Sequence, residues 1–521
     1  MGGLLPSVGA RSFSRSRVEA SSRTPLRKGW ADPSALAAAR LDSYFRITER
    51  GSSIRRELLA GLTTFLAMAY ILFVNPSILT GGFELALASS LHMPVEQLVT
   101  SSTYGPLIEE VRLGFTIATA LAAGFATLIM TLYARLPFAL APGMGENAFI
   151  GYTVIPAFTA ALLSKQLSPA WGAPLLAVYL ALVSVFFNGV LFLIFSIGGI
   201  REFIINSVPE SIRVGTSIGI GLFISLIGMV NIGLVTAGKG TPITINWSAF
   251  SNLGLYLGLL SALLAAALLS RKVPGAFLIA IIAATLVGAA LGLVRAPPYW
   301  TLRPLLTTSI INELPRSFYL YFTLFSIGFP IAFSLFLVDF FDGLGTITGL
   351  AMRAGLVKEG RVLNINRALI TDSLASIIAP FFGTSTTVIY VESAAGIEQG
   401  GRTGLTALVV STLFLISAAM APLFTTVPAF ATGGVLILVG LLFLSLAGRL
   451  AVIDDYTETI PAFLTMIGIP FTFSITAGIG LGFIFYLLVK LTAGKVRDLR
   501  PGIIVIAILF ALFFTLAALG Y

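Results

Sequence analysis

Gly383-Thr-Ser-Thr-Thr-Val-Ile-Tyr-Val-Glu392-Ser-Ala-Ala-Gly396 interrupts a chain that otherwise runs from one apolar stretch to the next. Thr384, Thr386, Thr387, Val388, Ile389, Tyr390 and Val391 are β-branched or aromatic and favour an extended backbone. Ser393-Ala-Ala-Gly396 suits a closely packed helix instead. Within a bilayer, irregular backbone is tolerated only where protein encloses it or a watery cavity borders it. A helix starting near Glu392 would present free N–H groups and a positive dipole end to that cavity. The plainer reading is a bend whose hydroxyls and carboxylate satisfy only its own backbone.

The bilayer follows from composition. Of 521 residues, 57% are hydrophobic and only 11% are charged, and mean hydropathy is +0.97. A soluble domain carries about 25% charged residues, so a soluble enzyme is excluded. The 52 glycines fit membrane helices. With no Cys and His92 as the single histidine, disulfides, iron–sulfur clusters, thiolate metal sites and His-rich zinc or haem sites are excluded. No cofactor and no metal are expected. His92 itself falls in a polar loop, 80–111, and reads as solvated.

The net charge of +9 is local. Residues 1–56 hold eleven basic side chains against four acids, which is +7 of that total, so a nucleic-acid partner is a poor reading. A basic segment ahead of the first span fits a cytoplasmic N-terminus under the positive-inside rule. It is read as a disordered tail, with an Arg- and Ser-rich organellar transit peptide over 1–30 as the alternative.

Leu140-Ala-Pro-Gly-Met-Gly-Glu146-Asn147-Ala-Phe149 breaks an earlier span through Pro142, Gly143 and Gly145. Two interrupted segments at corresponding places in two halves point to a transporter site. Apolar runs of about 20 residues give fourteen candidate spans. The first seven lie near 58–79, 112–134, 137–158, 173–197, 210–235, 251–270 and 274–294. The second seven lie near 327–351, 365–383, 384–400, 402–425, 431–450, 458–489 and 502–520. Pro209, Gly215 and Gly221 are spaced as are Pro428, Gly434 and Gly440, which suggests two related halves. Seven spans per half would set them in opposite orientation. The organisation expected is a tail over 1–56, a first repeat over 57–295, a loop over 296–326 and a second repeat over 327–521.

Loop charges fit this only in part. Arg201, Arg213, Arg271, Lys272, Arg353, Lys358, Arg361 and Arg367 fall on the cytoplasmic side, and the external loop 76–111 holds acids without Lys or Arg. Lys490, Lys495, Arg497 and Arg500 fall outside if every span crosses fully. Either 458–475 is half-inserted or the rule is broken there.

Ionisable groups within spans cost about 2.5–3.5 kcal/mol and therefore suggest function. Asp339 and Asp342 lie in Phe336-Leu-Val-Asp-Phe-Phe-Asp-Gly-Leu-Gly-Thr346 and share a helix face, with Thr346 extending the stripe. Two such carboxylates do not both ionise easily. The alternative is that Asp342-Gly343 marks a helix end. Asn147 offers a donor and an acceptor. Glu146 reads as a helix N-terminal acid, a supporting partner of the site or a cytoplasm-facing residue. Phe149 and Tyr390 adjoin the interruptions, where a planar ring could stack. Asp372 is expected to pair with Arg367, and Arg402 to anchor a helix at the interface.

At these motifs the sequence resembles the azaguanine-resistance-type purine permeases for adenine, guanine and hypoxanthine, relatives of the uracil and xanthine permeases. The resemblance rests on Ala60-Gly-Leu-Thr-Thr-Phe-Leu-Ala-Met-Ala-Tyr-Ile-Leu-Phe-Val-Asn-Pro76, Ala141–Phe149, Val338–Asp342 with Gly345-Thr346, and Gly383–Thr387 through Glu392–Gly396 to Gly401–Thr406. It covers about residue 45 to the C-terminus. It implies an all-α membrane protein of fourteen spans in two inverted repeats, divided into core and gate domains. The third and tenth spans would each begin as a short strand meeting a half-helix. It implies proton-coupled purine uptake, with Asp339 and Glu392 at the key acidic positions and Asn147 at the third-span polar position. Glu146 and Gly343 depart from the family pattern, in place of an apolar residue and a Thr, and the 80–111 loop is long.

The expectation is a secondary transporter and not an enzyme, in a plasma (cytoplasmic) membrane, with an organellar envelope as the alternative. Glu392, Asn147, Phe149, Tyr390, Ser385 and Thr386 would bind substrate. Asp339 and Asp342 would carry the proton, with Glu146 and Thr346 in support. Partners are a purine nucleobase, a proton and the bilayer, with a homodimer left open. The competing readings are an anion transporter or exchanger of the same architecture, a membrane-embedded aspartyl hydrolase, and a channel.

Overall fold

The bundle is organised by the meeting of its two interrupted segments. The computed structural model describes residues 33–197, 208–238, 243–294, 305–358, 361–444 and 446–518. Leu140–Pro142 pairs antiparallel with Thr387–Ile389, Leu140 facing Ile389 and Pro142 facing Thr387. The ladder is extended at both ends, by Gly143 N–H on the Thr386 carbonyl at 3.0 Å and Tyr390 N–H on the Ala139 carbonyl at 2.9 Å. Two strands this short satisfy their backbone only by finding each other, which is what burial away from water demands. Gly383, with φ +99°, ends the helix Ile365–Phe382 in the left-handed conformation and turns the chain into the second strand.

Each strand feeds a short helix. Met144–Phe149 continues through a wider π-helical turn, Ile150–Val154, into Ile155–Ser164. The second, Ser393–Glu398, ends at Gln399. Among the described residues nine helices are long and apolar enough to cross a bilayer, and Ala276–Ala290, Gly404–Ala419 and Pro501–Thr515 are shorter apolar helices. The protein is an integral, multi-pass, helical membrane protein, and apolar side chains such as Leu263, Leu286 and Ile416 stand on its outer surface.

The helices form two groups, core and gate. Ile54–Met68 with Ile71–Leu91, Gly105–Ile129, Ala173–Ile197, Phe325–Arg353, Ile365–Phe382 and Gly404–Ala419 pack around the strand pair. Glu210–Asn231, Leu253–Ser270, Ala276–Ala290, Ala429–Leu444, Tyr456–Thr472 and Ile475–Thr492 pack on one another. In the second group glycines of the two halves touch, among them the spacing-matched Gly221 and Gly440. A Cβ on Gly221 would lie 2.7 Å from the Gly440 carbonyl, and one on Gly228 would lie 2.7 Å from that of Gly433. Small residues let these backbones close.

Four expectations are corrected. The span at 458–489 is two helices, Tyr456–Thr472 and Ile475–Thr492, folded back on each other. The break comes at Phe473, with φ +52°, followed by Ser474, whose hydroxyl caps Ala477 N–H at 3.1 Å. The hairpin returns Lys495 to Asp455 at 2.7 Å. The same end of the gate group holds Ser211 on Glu458 at 2.6 Å and Arg449 near Glu210 at 3.8 Å. Lys490 and Lys495 therefore lie at the same end of the gate group as Arg213. Within the loop expected over 80–111, Ile71–Leu91 and Val95–Thr100 are helical, and exposed His92 with φ +54° terminates the first.

Likewise the inter-repeat segment carries the helix Leu305–Thr323, held by Phe318 and Tyr321 against Phe187, with centroids 5.9 and 5.1 Å apart. The expected tail is helical over Pro33–Phe45, where alanines raise helix propensity behind a leading proline. Phe45 is 2% exposed, and Arg135 stacks on Tyr44 at 4.1 Å. Residues 1–32, including the transit-peptide segment, and Arg201 lie outside the described residues.

Candidate functional site

The Ser/Thr run does not serve its own backbone alone. Its hydroxyls reach five helices. Asn75 Nδ2 donates to Thr384 Oγ1 at 3.0 Å and to Thr119 Oγ1 at 2.7 Å. Ser385 donates to Asn147 Oδ1, and Asn147 Nδ2 to the Pro142 carbonyl at 3.3 Å. Thr386 donates to Asp339 Oδ2 at 2.7 Å and Asn188 Nδ2 donates to the same oxygen at 2.9 Å, with Ser376 Oγ lying 3.1 Å away. Ser376 also lies 2.6 Å from Thr386. Each hydroxyl has one proton, so a relay Ser376 to Thr386 to Asp339 uses both without conflict. Asp339 is fully buried, and its Oδ1 has no partner.

Glu392 begins the second half-helix and accepts from the buried Tyr70 hydroxyl at 2.6 Å. Tyr70 stands at the break between Ile54–Met68 and Ile71–Leu91. There Pro76 lacks an N–H for the Leu72 carbonyl, which loosens the first turn of the second helix. The half-helix itself rests on the first helix, because a Cβ on Gly396 would overlap Thr64 and the Ala60 carbonyl.

One expectation for the amides is corrected. Ser393, Ala394 and Ala395 N–H already donate to the carbonyls of Tyr390, Val391 and Glu392, at 3.1, 3.0 and 3.0 Å. The tight first turn consumes them. At the other half-helix, Glu146 occupies the third position and folds its Oε2 back over Gly143, a placement that favours an acid at a helix start. Glu146 is 4% exposed, so it is neither solvated nor cytoplasm-facing.

Asp342 is half-buried inside an unbroken helix, Phe325–Arg353, so it does not mark a helix end. It lies close enough to interact as a charge with Asp339 and Glu392, and Glu146 with Asp342 and Asp339. Thr346 is half-buried two turns beyond Asp339. Phe149 is wholly enclosed in the apolar core. Tyr390 is buried, with its hydroxyl on the Pro142 carbonyl at 2.6 Å. Glu392, Asn147, Ser385, Thr386, Tyr390 and Asp339 thus gather on the strand pair.

Asp372 does not pair with Arg367, whose guanidinium lies over Tyr133 at 5.7 Å. Arg402 is an anchor, donating to the carbonyls of Ile397 and Gly401 at 2.6 and 2.8 Å. Sequence reasoning missed Tyr70, Asn75, Asn188 and Ser376. All four are polar residues within apolar helices, a signal it read only for acids. Among the described residues none of Glu146, Asp339, Asp342, Asp372 and Glu392 forms an ion pair. The arrangement can accept hydrogen bonds from a neutral, N–H-bearing ligand and can hold protons; it offers an anion no fixed cation.

Residues 85–481 match the model of a family described as the Permease family. The chain is 37% identical over 473 residues to the adenine permease AdeQ of Escherichia coli (strain K12), covering 91% of this chain and 95% of that one. It is 35% identical over 484 residues to the guanine/hypoxanthine permease PbuG of Bacillus subtilis (strain 168), covering 91% and 100%. Among solved structures, the transmembrane domain of the cyanobacterial bicarbonate transporter BicA superposes with a TM-score of 0.51 at 14% identity, covering 82% of this chain and 97% of that one. That likeness speaks to the fold alone.

Proposed function

Because this chain belongs to the Permease family and is a transporter rather than an enzyme, we propose that it carries purine nucleobases together with protons. The observation that carries the reading is the gathering of Glu392, Asn147 and Asp339 on one strand pair between two half-helices. A nucleobase is planar and uncharged near neutral pH. Glu392 accepts its ring N–H groups, and Asn147 and the amides opening Met144–Phe149 meet its ring nitrogens or oxo group. Tyr390 flanks the ring.

Carboxylates without basic partners would leave a charged site costly to desolvate around a neutral ligand. A proton on Asp339 offsets that cost, so substrate and proton bind together and leave together, which is symport. Asp342 shares the proton-holding face, and Glu146 and Thr346 support it. Movement of the core group against the gate group exposes the site alternately.

Uptake of labelled adenine and hypoxanthine into cells or proteoliposomes tests this, with and without a protonophore and against an excess of each purine. Purine uptake that collapses with the protonophore is expected. The bicarbonate transporter's likeness in fold motivates one rival, anion transport, and half-helix starts do favour anions. Five buried or half-buried acids oppose it. Uptake of sulfate or bicarbonate in place of purine would overturn the proposal.

A further inference from the structure

Asp372 is fully buried, and neither of its carboxylate oxygens has a partner at hydrogen-bonding geometry. It sits one turn before Ser376 on Ile365–Phe382, and Ser376 is the residue that contacts Asp339 and Thr386. Facing it is Gly343, one turn beyond Asp339 on Phe325–Arg353. A Cβ at Gly343 would lie 2.5 Å from Asp372 Oδ2, so the missing side chain is what leaves room for the acid. The titratable groups around it are Asp339 and Asp342 from that helix and Glu146 from the first half-helix. The backbone N–H of Ile389, on the strand, is the donor that faces it. Ala173–Ile197 adds Phe192, 3.6 Å from the same Gly343 position. No cation stands against it among these groups.

An ionised carboxylate there would have only the Ile389 N–H to offset it in a dry neighbourhood of other acids, which is costly. The neutral acid has no such cost. Direction matters as well. Helix Phe325–Arg353 runs from Asp339 toward Arg353, which pairs with Glu398 at 3.3 Å. Helix Ile365–Phe382 runs back from Asn364, which holds the Ala134 carbonyl at 3.1 Å. Asp372 and Gly343 are therefore displaced by one turn from Asp339 and Ser376 toward the end where the basic residues lie.

We propose that Asp372 is a second proton-holding group of the transport cycle, taking up the proton that Asp339 releases and passing it to the basic end of the bundle. The transfer needs no co-reactant. Asp339 loses the proton it gained with substrate, and Asp372, beside Gly343 one turn along the same pair of helices, gains one. The proposal rests on the proton-symport reading of this protein.

The test uses purified full-length protein in proteoliposomes. One assay is labelled adenine exchange at equal pH on both sides. The other is accumulation driven by an inward proton gradient of one pH unit, worth about tenfold accumulation per proton. Asp372→Asn is expected to keep exchange within about twofold of wild type while accumulation falls from about tenfold to near one. Gly343→Ala, which crowds the acid, is expected to reduce gradient-driven accumulation in the same sense. If Asp372→Asn accumulates adenine as wild type does, the proposal is overturned. It is equally overturned if the monodisperse variant loses exchange as well, because Asp372 then serves binding or packing. If wild type itself exchanges adenine but ignores the gradient, the symport reading fails and takes this inference with it.

Discussion

Removing the Glu57 carboxylate should unfasten the second half-helix, and its cost can be worked from four distances. Glu57 is fully buried in the first helix. Its Oε1 accepts from Arg402 N–H at 2.9 Å. Its Oε2 accepts from Thr403 N–H and Thr406 N–H, both at 3.2 Å, and from Thr406 Oγ1 at 2.6 Å. These donors open the helix Gly404–Ala419 and close the loop that follows Ser393–Glu398. Glu57→Ala leaves the Arg402 and Thr403 amides without partners, while Thr406 N–H falls back on the Thr403 carbonyl at 3.2 Å and its hydroxyl on the Glu57 carbonyl at 3.3 Å; two orphaned amides at roughly 2–3 kcal/mol each cost about 4–6 kcal/mol together. Glu57→Gln can turn its oxygen toward the three donors and sacrifice only Arg402 N–H, at about 1.5–3 kcal/mol. For a chain this long, 1 kcal/mol moves the melting temperature by roughly 1–2 °C. Thermal unfolding in detergent should therefore fall by about 5–10 °C for Ala and about 2–5 °C for Gln, in that order. The KM for adenine should rise in Glu57→Ala, because the half-helix bearing Glu392 loses its tether. An alanine variant melting within about 1 °C of wild type would refute this reasoning.

Further outcomes can be measured alongside it. Asp339→Asn should retain substrate exchange but lose gradient-dependent accumulation; uptake that stays proton-coupled would remove Asp339 from the coupling role. Gly221→Ala, whose Cβ would meet Phe443 Cβ at 2.6 Å and the Gly440 carbonyl at 2.7 Å, should destabilise by about 1–3 kcal/mol. Gly345→Ala meets nothing within 4 Å and should be neutral or stabilising by about 0.5–1 kcal/mol. Lys490, 2% exposed, lies 2.8 Å from Glu458 and 3.2 Å from Asp498. Lys490→Met should cost about 1–3 kcal/mol, below the figure for a wholly dry pair because both acids reach solvent. Asp455 is held well below the usual carboxylate range by the Lys495 ammonium, then by Thr457 N–H and hydroxyl. Its contribution is present above the unfolded value of about 4 and is lost as pH falls below it. Melting curves of Asp455→Asn should therefore converge on wild type only in acid.

The legible part of this molecule was written in contrasts. Thr384 to Val391 stand out because β-branched residues followed by Ser-Ala-Ala-Gly cannot be one regular helix, and Pro142-Gly-Met-Gly145 fails as a helix for the opposite reason. Their partnership follows from burial, since neither strand can satisfy its backbone alone. Asp339 and Glu392 stand out as charges in apolar runs. Asn188, Asn75 and Ser376 do not, because neutral polar residues are common enough in membrane helices to pass as packing. Tyr70 lay in plain view among many aromatics, and only the geometry aims its hydroxyl at Glu392. Helix ends were the least legible. The break at Phe473 carries no glycine, so two helices read as one apolar run. Asp372 was misread for a related reason: Arg367 is near in sequence, and only the structure turns it toward Tyr133.

Alternating exposure needs contacts between core and gate that break, and this chain offers a clean way to find one. Ser77, on the core helix Ile71–Leu91, lies 3.2 Å from Thr432 on the gate helix Ala429–Leu444, hydroxyl to hydroxyl. Nearby, Tyr152 reaches Asn231 at 3.3 Å, and Thr153 donates to the Phe473 carbonyl at the hairpin tip. These core–gate bonds lie at the end opposite Lys495 and Asp455. At the basic end Arg213 meets Phe341 only through its ring face, at 5.3 Å. Polar contacts between neutral groups are worth about 0.5–1.5 kcal/mol each, weak enough to open and close within a transport cycle. The sequence has no cysteine, so Ser77→Cys with Thr432→Cys introduces the only two thiols. Hydroxyl oxygens this close place the two sulfurs within reach of a disulfide after small side-chain rotation. Oxidation should lock the pair and stop uptake, and a reductant should restore it, while each single cysteine variant transports throughout. If the double variant is fully cross-linked and still accumulates purine, core and gate do not part at this end, and the rocking motion inferred for the two groups is wrong.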